Sequence, residues 1–263
     1  MDNPKQLTVL SLCTGYGGLE LGLSRALANP LRVVAVEIEA FALANLVAKV
    51  EEGRLAVEAL YPDLRTFPAE RFRGCFDFIL AGYPCQPFSV AGKRHGTDDS
   101  RHLWPDIARI VQAVEPVWCF FENVSGHLSL GFSDVYCSLR EMGYKVEAGL
   151  FTASECGLSF DGQRLFILAS MLYNGCSNEN SKNTYLLIKT RDIQSSGRRQ
   201  WAVKRLVRNV CSGLSSRWKS QPRICRSDDG TSYQVDRLRL LGNGVVPQQA
   251  DKAFRELIKL FQE

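Results

Sequence analysis

The run Phe76-Asp77-Phe78-Ile79-Leu80 leads straight into Ala81-Gly82-Tyr83-Pro84-Cys85-Gln86-Pro87-Phe88-Ser89. A short apolar run closed by turn residues predicts a buried strand. Pro84 and Pro87 fix φ and lack N–H donors, so the strand cannot continue and the Cys85 thiol is set on a turn at the sheet's carboxyl edge. In open α/β sheets that edge is where ligands bind. A cysteine that only fills space sits inside an apolar run, as Cys119 does in Val117-Trp118-Cys119-Phe120-Phe121. Cys85 instead stands between two prolines, ahead of a glycine- and charge-rich loop, and is read as a chemical group.

On the amino-terminal side, Leu7 to Cys13 reads as a first strand, rich in residues that suit a sheet buried on both faces. Gly15, Gly17 and Gly18 follow, a turn whose backbone can approach a ligand closely, and a helix opens at Leu19. The turn lacks the full dinucleotide fingerprint, which disfavours a pyrophosphate ligand. Leu31 to Val36 is a second strand with Glu37 at its carboxyl end, where an acid can take ribose hydroxyls or serve the amino end of a helix from Glu39 to Val50. A third strand, Leu55 to Leu60, leads to Asp63-Leu64-Arg65.

Beyond Cys85, residues 90–102 carry Gly92, Lys93, Arg94, Gly96 and Arg101 without helical or strand period, and are read as a lid over phosphate. Leu103 to Val114 has helical spacing. Pro116 to Phe121 is a further strand, ending at Glu122-Asn123-Val124, and a carboxylate leaving so apolar a run should have a raised pKa. Tyr144 to Thr152 and Leu165 to Met171 complete the strands, with Gln163-Arg164 between them, and Gln248 to Phe261 is an amphipathic helix. Strands alternating with helices predict an α/β fold: a Rossmann-like, mainly parallel sheet with helices on both faces.

With 263 residues and 45% hydrophobic content, the chain can bury a full core. No apolar run is long enough to span a bilayer and the first residues lack a signal peptide's apolar segment, so a soluble, cytoplasmic protein without membrane contact is expected. Nine cysteines without close paired spacing suggest neither a disulfide framework nor a metal site. The net charge of +4 is unevenly spread. Residues 171–240 hold 14 Lys and Arg against 5 Asp and Glu, a net +9, which leaves −5 for the rest. That segment is polar and serine-rich from Asn174 to about Gly230, with Trp201 and Trp218 interleaved; it reads either as a phosphate footprint or as solvated surface.

Pro84-Cys85-Gln86 with Phe88-Ser89 resembles the nucleophile motif of the cytosine-5 DNA methyltransferases. Gly15-Tyr16-Gly17-Gly18, Glu122-Asn123-Val124 and Gly242-Asn243-Gly244-Val245-Val246-Pro247 match in that family's order. The resemblance implies methyl transfer from S-adenosylmethionine to position 5 of a cytosine flipped out of double-stranded DNA. It makes Cys85 the nucleophile, with Glu122 and Arg164 as its catalytic partners. It puts Cys13, Gly15, Tyr16, Gly17, Gly18, Glu37, Ile38, Asp63, Leu64, Pro84, Asn243 and Val245 around the cofactor. Glu37 would take the ribose, Ile38 and Leu64 would be apolar walls, Asp63 would meet the adenine amine, and Asn243 would lie near the amino-acid end.

The same resemblance divides the chain into a catalytic and cofactor-binding domain at 1–172, a small basic, loop-rich target-recognition lobe at 173–234 and a returning segment at 235–263 whose helix lies beside the first strand. A monomer, paired with a cognate restriction endonuclease, is the expectation. The chain departs from the family in two places: Cys13 stands where many members have an aromatic residue, and Gly162 where they have the first of two arginines. A catalytically weak DNA-binding relative and a methyltransferase acting on RNA therefore stay open as alternatives.

Overall fold

The computed structural model describes residues 6–84, 103–171 and 244–261. Cys85, the lid reading of residues 90–102, the recognition region and Asn243 lie outside the described residues. Seven strands form one sheet: β1 (Leu7–Leu12), β2 (Leu31–Val36), β3 (Val57–Tyr61), β4 (Phe78–Gly82), β5 (Trp118–Val124), β6 (Lys145–Thr152) and β7 (Gln163–Ser170). Their order is β3-β2-β1-β4-β5-β7-β6. All neighbouring pairs are parallel except those made by β7, which runs antiparallel to both β5 and β6. The mainly parallel expectation holds, with one reversed strand.

The strand cores read as continuous apolar runs because both faces are covered. In β4, Phe78 and Leu80 face one side while Ile79 and Ala81 face the other; β5 divides its residues likewise, Trp118 and Phe120 against Cys119 and Phe121. The first side is covered by α1 (Gly18–Leu27), which reaches Leu23 into the core, and by the carboxyl-terminal helix. The second is covered by α3 (Trp104–Val114) and α5 (Phe132–Glu141), with Ile107, Val111, Phe132 and Leu139 inward. The helix α2 (Ala40–Glu51) links β2 to β3, and the short α4 (His127–Leu130) follows β5. No helix among the described residues is long and apolar enough to cross a membrane.

Three differences from the sequence reading bear on the site. The strand β5 does not stop before Glu122 but carries it, pairing Gly82 with Glu122 on one side and Phe166 with Glu122 on the other. Gln163 and Arg164 are not in the connection but are the first residues of β7, since β7 runs opposite to its neighbours and begins at the same edge where β5 ends. The last helix, α6 (Pro247–Lys259), lies chiefly along α1 and reaches β7 and the edge strand β6, not beside the first strand. Its Phe254 meets Phe78 and Phe120, with ring centroids 6.1 and 5.5 Å away.

The contact of α1 with α6 requires a glycine. A Cβ at Gly22 would lie 2.4 Å from the Ala250 Cβ and 2.7 Å from the Pro247 carbonyl oxygen. Neither neighbour can move without shifting helix backbone. Gly22→Ala should therefore lower stability by about 1–3 kcal/mol, despite the better helix propensity of alanine. Urea unfolding monitored by circular dichroism checks this, and a variant as stable as the parent would show that α6 is loosely held.

Candidate active site

The carboxyl ends of β1, β2, β4 and β5 stand side by side, and each delivers one feature. The first is the glycine turn after β1, where Cys13, Gly15 and Gly17 have φ of 53°, 58° and 82°. Positive φ suits the two glycines and is unusual at Cys13. The chain is held there by Thr14, whose hydroxyl donates to the Ser11 carbonyl at 3.1 Å and whose amide donates to that of Val36 at 3.3 Å. Burial, and then the nearby Glu37 carboxylate, push the Cys13 thiol up to about 12. It stays protonated at neutral pH and acts as an apolar wall.

At the end of β2, Glu37 is buried, and its carboxylate accepts from the backbone N–H of Gly15 at 2.7 Å, Ile38 at 2.9 Å and Glu39 at 2.8 Å. It thus serves the approach to α2, one of the two readings made for it, and also steadies the glycine turn, which the sequence reading did not anticipate. A carboxylate offers about four acceptor sites, so capacity remains for a ligand hydroxyl. Ile38 is 63% exposed beside it. Asp63 accepts from the Arg65 amide at 3.0 Å and caps the 3-10 turn Leu64–Thr66, while Leu64 is buried in the core on the α3 side. Arg109 of α3 pins this turn through the Leu64 carbonyl, at 3.0 Å.

The carboxyl-terminal segment closes the turn from above. Tyr16 donates its hydroxyl to the Val245 carbonyl. A Cβ at Gly18 would stand 2.0 Å from that same carbonyl oxygen. Only glycine permits the approach. Ser11, Cys13, Thr14, Gly15, Tyr16, Gly18, Leu19, Glu20, Gly82, Gly244 and Val245 line the resulting recess, whose open space is about 290 Å³.

Next to it, Glu122 of β5 is buried and its Oε1 lies 3.1 Å from the Arg164 Nε of β7. Burial lifts the carboxyl group to about 7, with Arg164 acting against the rise. A Cβ at Gly82 would meet Glu122 Oε2 at 3.5 Å and Val245 Cγ2 at 3.2 Å, so that glycine is the gap between the carboxyl pair and the recess. The turn that leads to Cys85 is held from the same strand: Asn123 Nδ2 donates to the Tyr83 carbonyl at 3.0 Å. Pro84 lines a separate recess with Tyr83, Trp104 and His127, where the Tyr83 hydroxyl lies 3.0 Å from His127 Nε2.

Two residues of the site escaped sequence reasoning. Glu20 in the first turn of α1 reads from sequence as an ordinary helix-start acid. In the fold it is buried, accepts from the Ser11 hydroxyl, and is raised by burial to about 7. His127 reads as a surface residue after a turn, yet it is buried and lowered by burial to about 4. No local signal distinguishes these positions, because each is buried by elements distant in sequence.

The family model of C-5 cytosine-specific DNA methylases matches residues 7–222. The chain is 34% identical to the Type II methyltransferase M.NgoMIV of Neisseria gonorrhoeae over 168 residues, covering 62% of this chain and 52% of that protein. It is 30% identical to M.HgiBI of Herpetosiphon aurantiacus, covering 62% of this chain and 37% of that protein. The chain thus spans about half or less of the length of these curated relatives. Among solved structures, S. pombe Dnmt2 methyltransferase superposes with a TM-score of 0.52 at 22% identity, over 69% of this chain and 54% of that one. A putative DNA modification methyltransferase from an E. coli prophage gives 0.51 at 26% identity, over 66% and 49%.

The raised carboxyl groups have a consequence for stability. Between the ordinary glutamate value and about 7, the folded chain holds the Glu122 proton where the unfolded chain has lost it, so this group makes stability fall as pH rises through that window. Glu20 acts in the same direction, while His127, lowered to about 4, acts oppositely and favours the fold as pH rises from there toward its ordinary value. Glu122→Gln should therefore lose less stability than the parent between about pH 5 and about pH 7. Urea midpoints at the two pH values decide it; an equal or larger loss would place the Glu122 proton elsewhere.

Proposed function

The chain belongs to the C-5 cytosine-specific DNA methylase family, and from that premise we propose that it transfers a methyl group from S-adenosylmethionine to position 5 of a cytosine flipped out of double-stranded DNA. The observation that supports this reading is the buried Glu122–Arg164 pair, on the strand next to β4, with Gly82 between it and the glycine recess. A protonatable acid, a cation beside it and a glycine-lined recess share one sheet edge, and the strand β4 leads along the chain toward Cys85.

The residues present fit the cofactor. The recess combines a glycine cradle that a Cβ would fill, an acid with spare acceptor capacity at the end of β2, and a buried carboxylate oxygen of Glu20 without a partner. Glu37 would hold ribose hydroxyls, and the exposed Ile38 would flank the adenine. Asp63 would approach its amine, with Leu64 behind. Tyr16, Asn243 and Val245 would complete the enclosure, while Pro84, expected there from the sequence, lines the separate recess beside His127. Bound there, S-adenosylmethionine supplies an electrophilic methyl group.

Carbon 5 of cytosine is too weakly nucleophilic to take that methyl unaided. The Cys85 thiolate adds to carbon 6, which places negative charge on the ring and makes carbon 5 an enamine carbon. Glu122, with a pKa near neutrality, holds a proton at ring nitrogen 3, and Arg164 keeps its orientation while donating to the ring carbonyl oxygen. Once carbon 5 has taken the methyl group, with S-adenosylhomocysteine released, water would take the carbon 5 proton as the C6–S bond breaks, which frees the Cys85 thiolate and returns aromaticity. A base inside a duplex cannot reach such a site, so the nucleotide is extruded at roughly a few kcal/mol, offset by backbone contacts. The net +9 of residues 171–240 suits those contacts. The proposal extends to a cytoplasmic enzyme working as a monomer beside a cognate restriction endonuclease, in keeping with the Type II relatives.

Methyl transfer from labelled S-adenosylmethionine to mixed-sequence duplex DNA tests the reading. Cys85→Ser should abolish transfer. Glu122→Gln should slow it by about a hundredfold or more with cofactor affinity retained, whereas Glu37→Ala should chiefly weaken cofactor binding. A duplex carrying 5-fluorocytosine should form a denaturation-resistant adduct with the parent. Binding of duplex without methyl transfer would instead favour the DNA-binding relative, and transfer to RNA alone would reassign the substrate.

A further inference from the structure

Among the described residues three buried side-chain polar atoms have no hydrogen-bond partner: Glu20 Oε2, Asn45 Oδ1 and Trp118 Nε1. Of these residues, Glu20 alone lines the glycine recess. It is 1% exposed, and its Oε2 lies 3.8 Å from where a Cβ on Gly17 would stand, beneath the turn. The Ser11 hydroxyl occupies Oε1 and nothing occupies Oε2. A buried carboxylate left half-satisfied is destabilising and needs a reason.

Its neighbours do not supply a partner. Lys49 of α2 acts favourably on Glu20 through space, but its ammonium donates to the Tyr16 carbonyl and lies 4.7 Å from the centroid of the Tyr16 ring. Glu37, at the end of β2, repels it. Tyr16, on the turn, gives its hydroxyl to Val245. What Glu20 lacks is a donor that carries positive charge and enters through the recess.

We infer that Glu20 anchors the ammonium group at the amino-acid end of S-adenosylmethionine, with Oε2 accepting the bond; this rests on the reading of the recess as the cofactor site. An ammonium fits because it brings N–H donors and a positive charge together. The sulfonium has no such hydrogen, and its methyl group must face Glu122, which stands two strands and about 10 Å across the sheet from Ser11. Ribose at Glu37, ammonium at Glu20 and methyl toward Glu122 then follow the strand order β2, β1, β4, β5. Glu20 is a binding and positioning residue here and takes no part in the chemistry.

The probes are S-adenosylhomocysteine and its deamino analogue, which differ only in the ammonium, titrated calorimetrically into the parent and Glu20→Gln. Loss of the ammonium should weaken binding to the parent roughly tenfold or more. The variant should lose a similar factor for S-adenosylhomocysteine and bind the deamino analogue as the parent does. Equal losses for both ligands would make Glu20 merely structural, and no loss for either would remove it from the site.

A readout on the parent alone guards against a variant that fails to fold. Because burial holds Glu20 at about 7, the preference for the ammonium-bearing ligand should grow as pH rises through neutrality and the carboxylate ionises. A preference for the ammonium-bearing ligand that is absent at every pH overturns the inference. If S-adenosylhomocysteine fails to bind the parent while 5′-methylthioadenosine binds, the ammonium anchor is wrong and the recess reading stands; if neither binds, the recess reading falls, and the anchor with it.

Discussion

The close approach of the Val245 carbonyl to Gly18 is the contact on which the site depends. The glycine turn after β1 is open on one side until a segment more than two hundred residues later is laid across it, and the Tyr16 hydroxyl fastens that segment by its backbone. Helix α6 makes the arrangement durable. It begins two residues beyond Val245 and packs on α1 at Gly22, so the same two helices that bury Phe254 and Leu257 also fix the recess wall. Stability of the core and shape of the site are one packing problem here.

Three buried carboxylates, Glu20, Glu37 and Glu122, gather along this edge, and their partners separate their roles. The strands end there, so backbone N–H groups are free, and Glu37 takes three of them. Glu122 has a guanidinium instead, which suits a group that must keep or share a proton beside a cation. Glu20 takes the Ser11 hydroxyl on Oε1, and among the described residues its Oε2 has no hydrogen-bond partner. Carboxylates of one residue type, within one layer of the fold, thus differ in chemistry through what the surrounding backbone and side chains offer them.

The reversed strand β7 is the second architectural decision. Were it parallel, its first residues would lie at the opposite edge, far from Glu122. Running antiparallel, it starts where β5 ends, and Val124 pairs with Arg164 in register. This placement also explains how the chain accommodates Gly162. A Cβ there would come within 2.9 Å of the Phe160 ring, which is 51% exposed and fills the space over the glycine. The exposed Phe160 ring can swing aside from that position, and Arg164 is the arginine that reaches Glu122.

The sequence by itself determined the layered α/β character, since unbroken apolar runs bounded by glycines and prolines admit few other structures. It also marked where strands leave the sheet: Pro84, Glu37 and the Gly15-to-Gly18 turn are all local signals, because turns and strand exits are set by nearest neighbours. Only the tertiary structure decided that Glu122 lies within its strand, that Arg164 begins one, and that α6 rides on α1. Strand pairing and helix docking join residues far apart in the chain, and local pattern is silent about them. The same holds for Glu20 and His127. Their surroundings include residues far away in the chain, Val245 at the recess that Glu20 lines and Tyr83 and Trp104 beside His127, which no window of sequence around them contains.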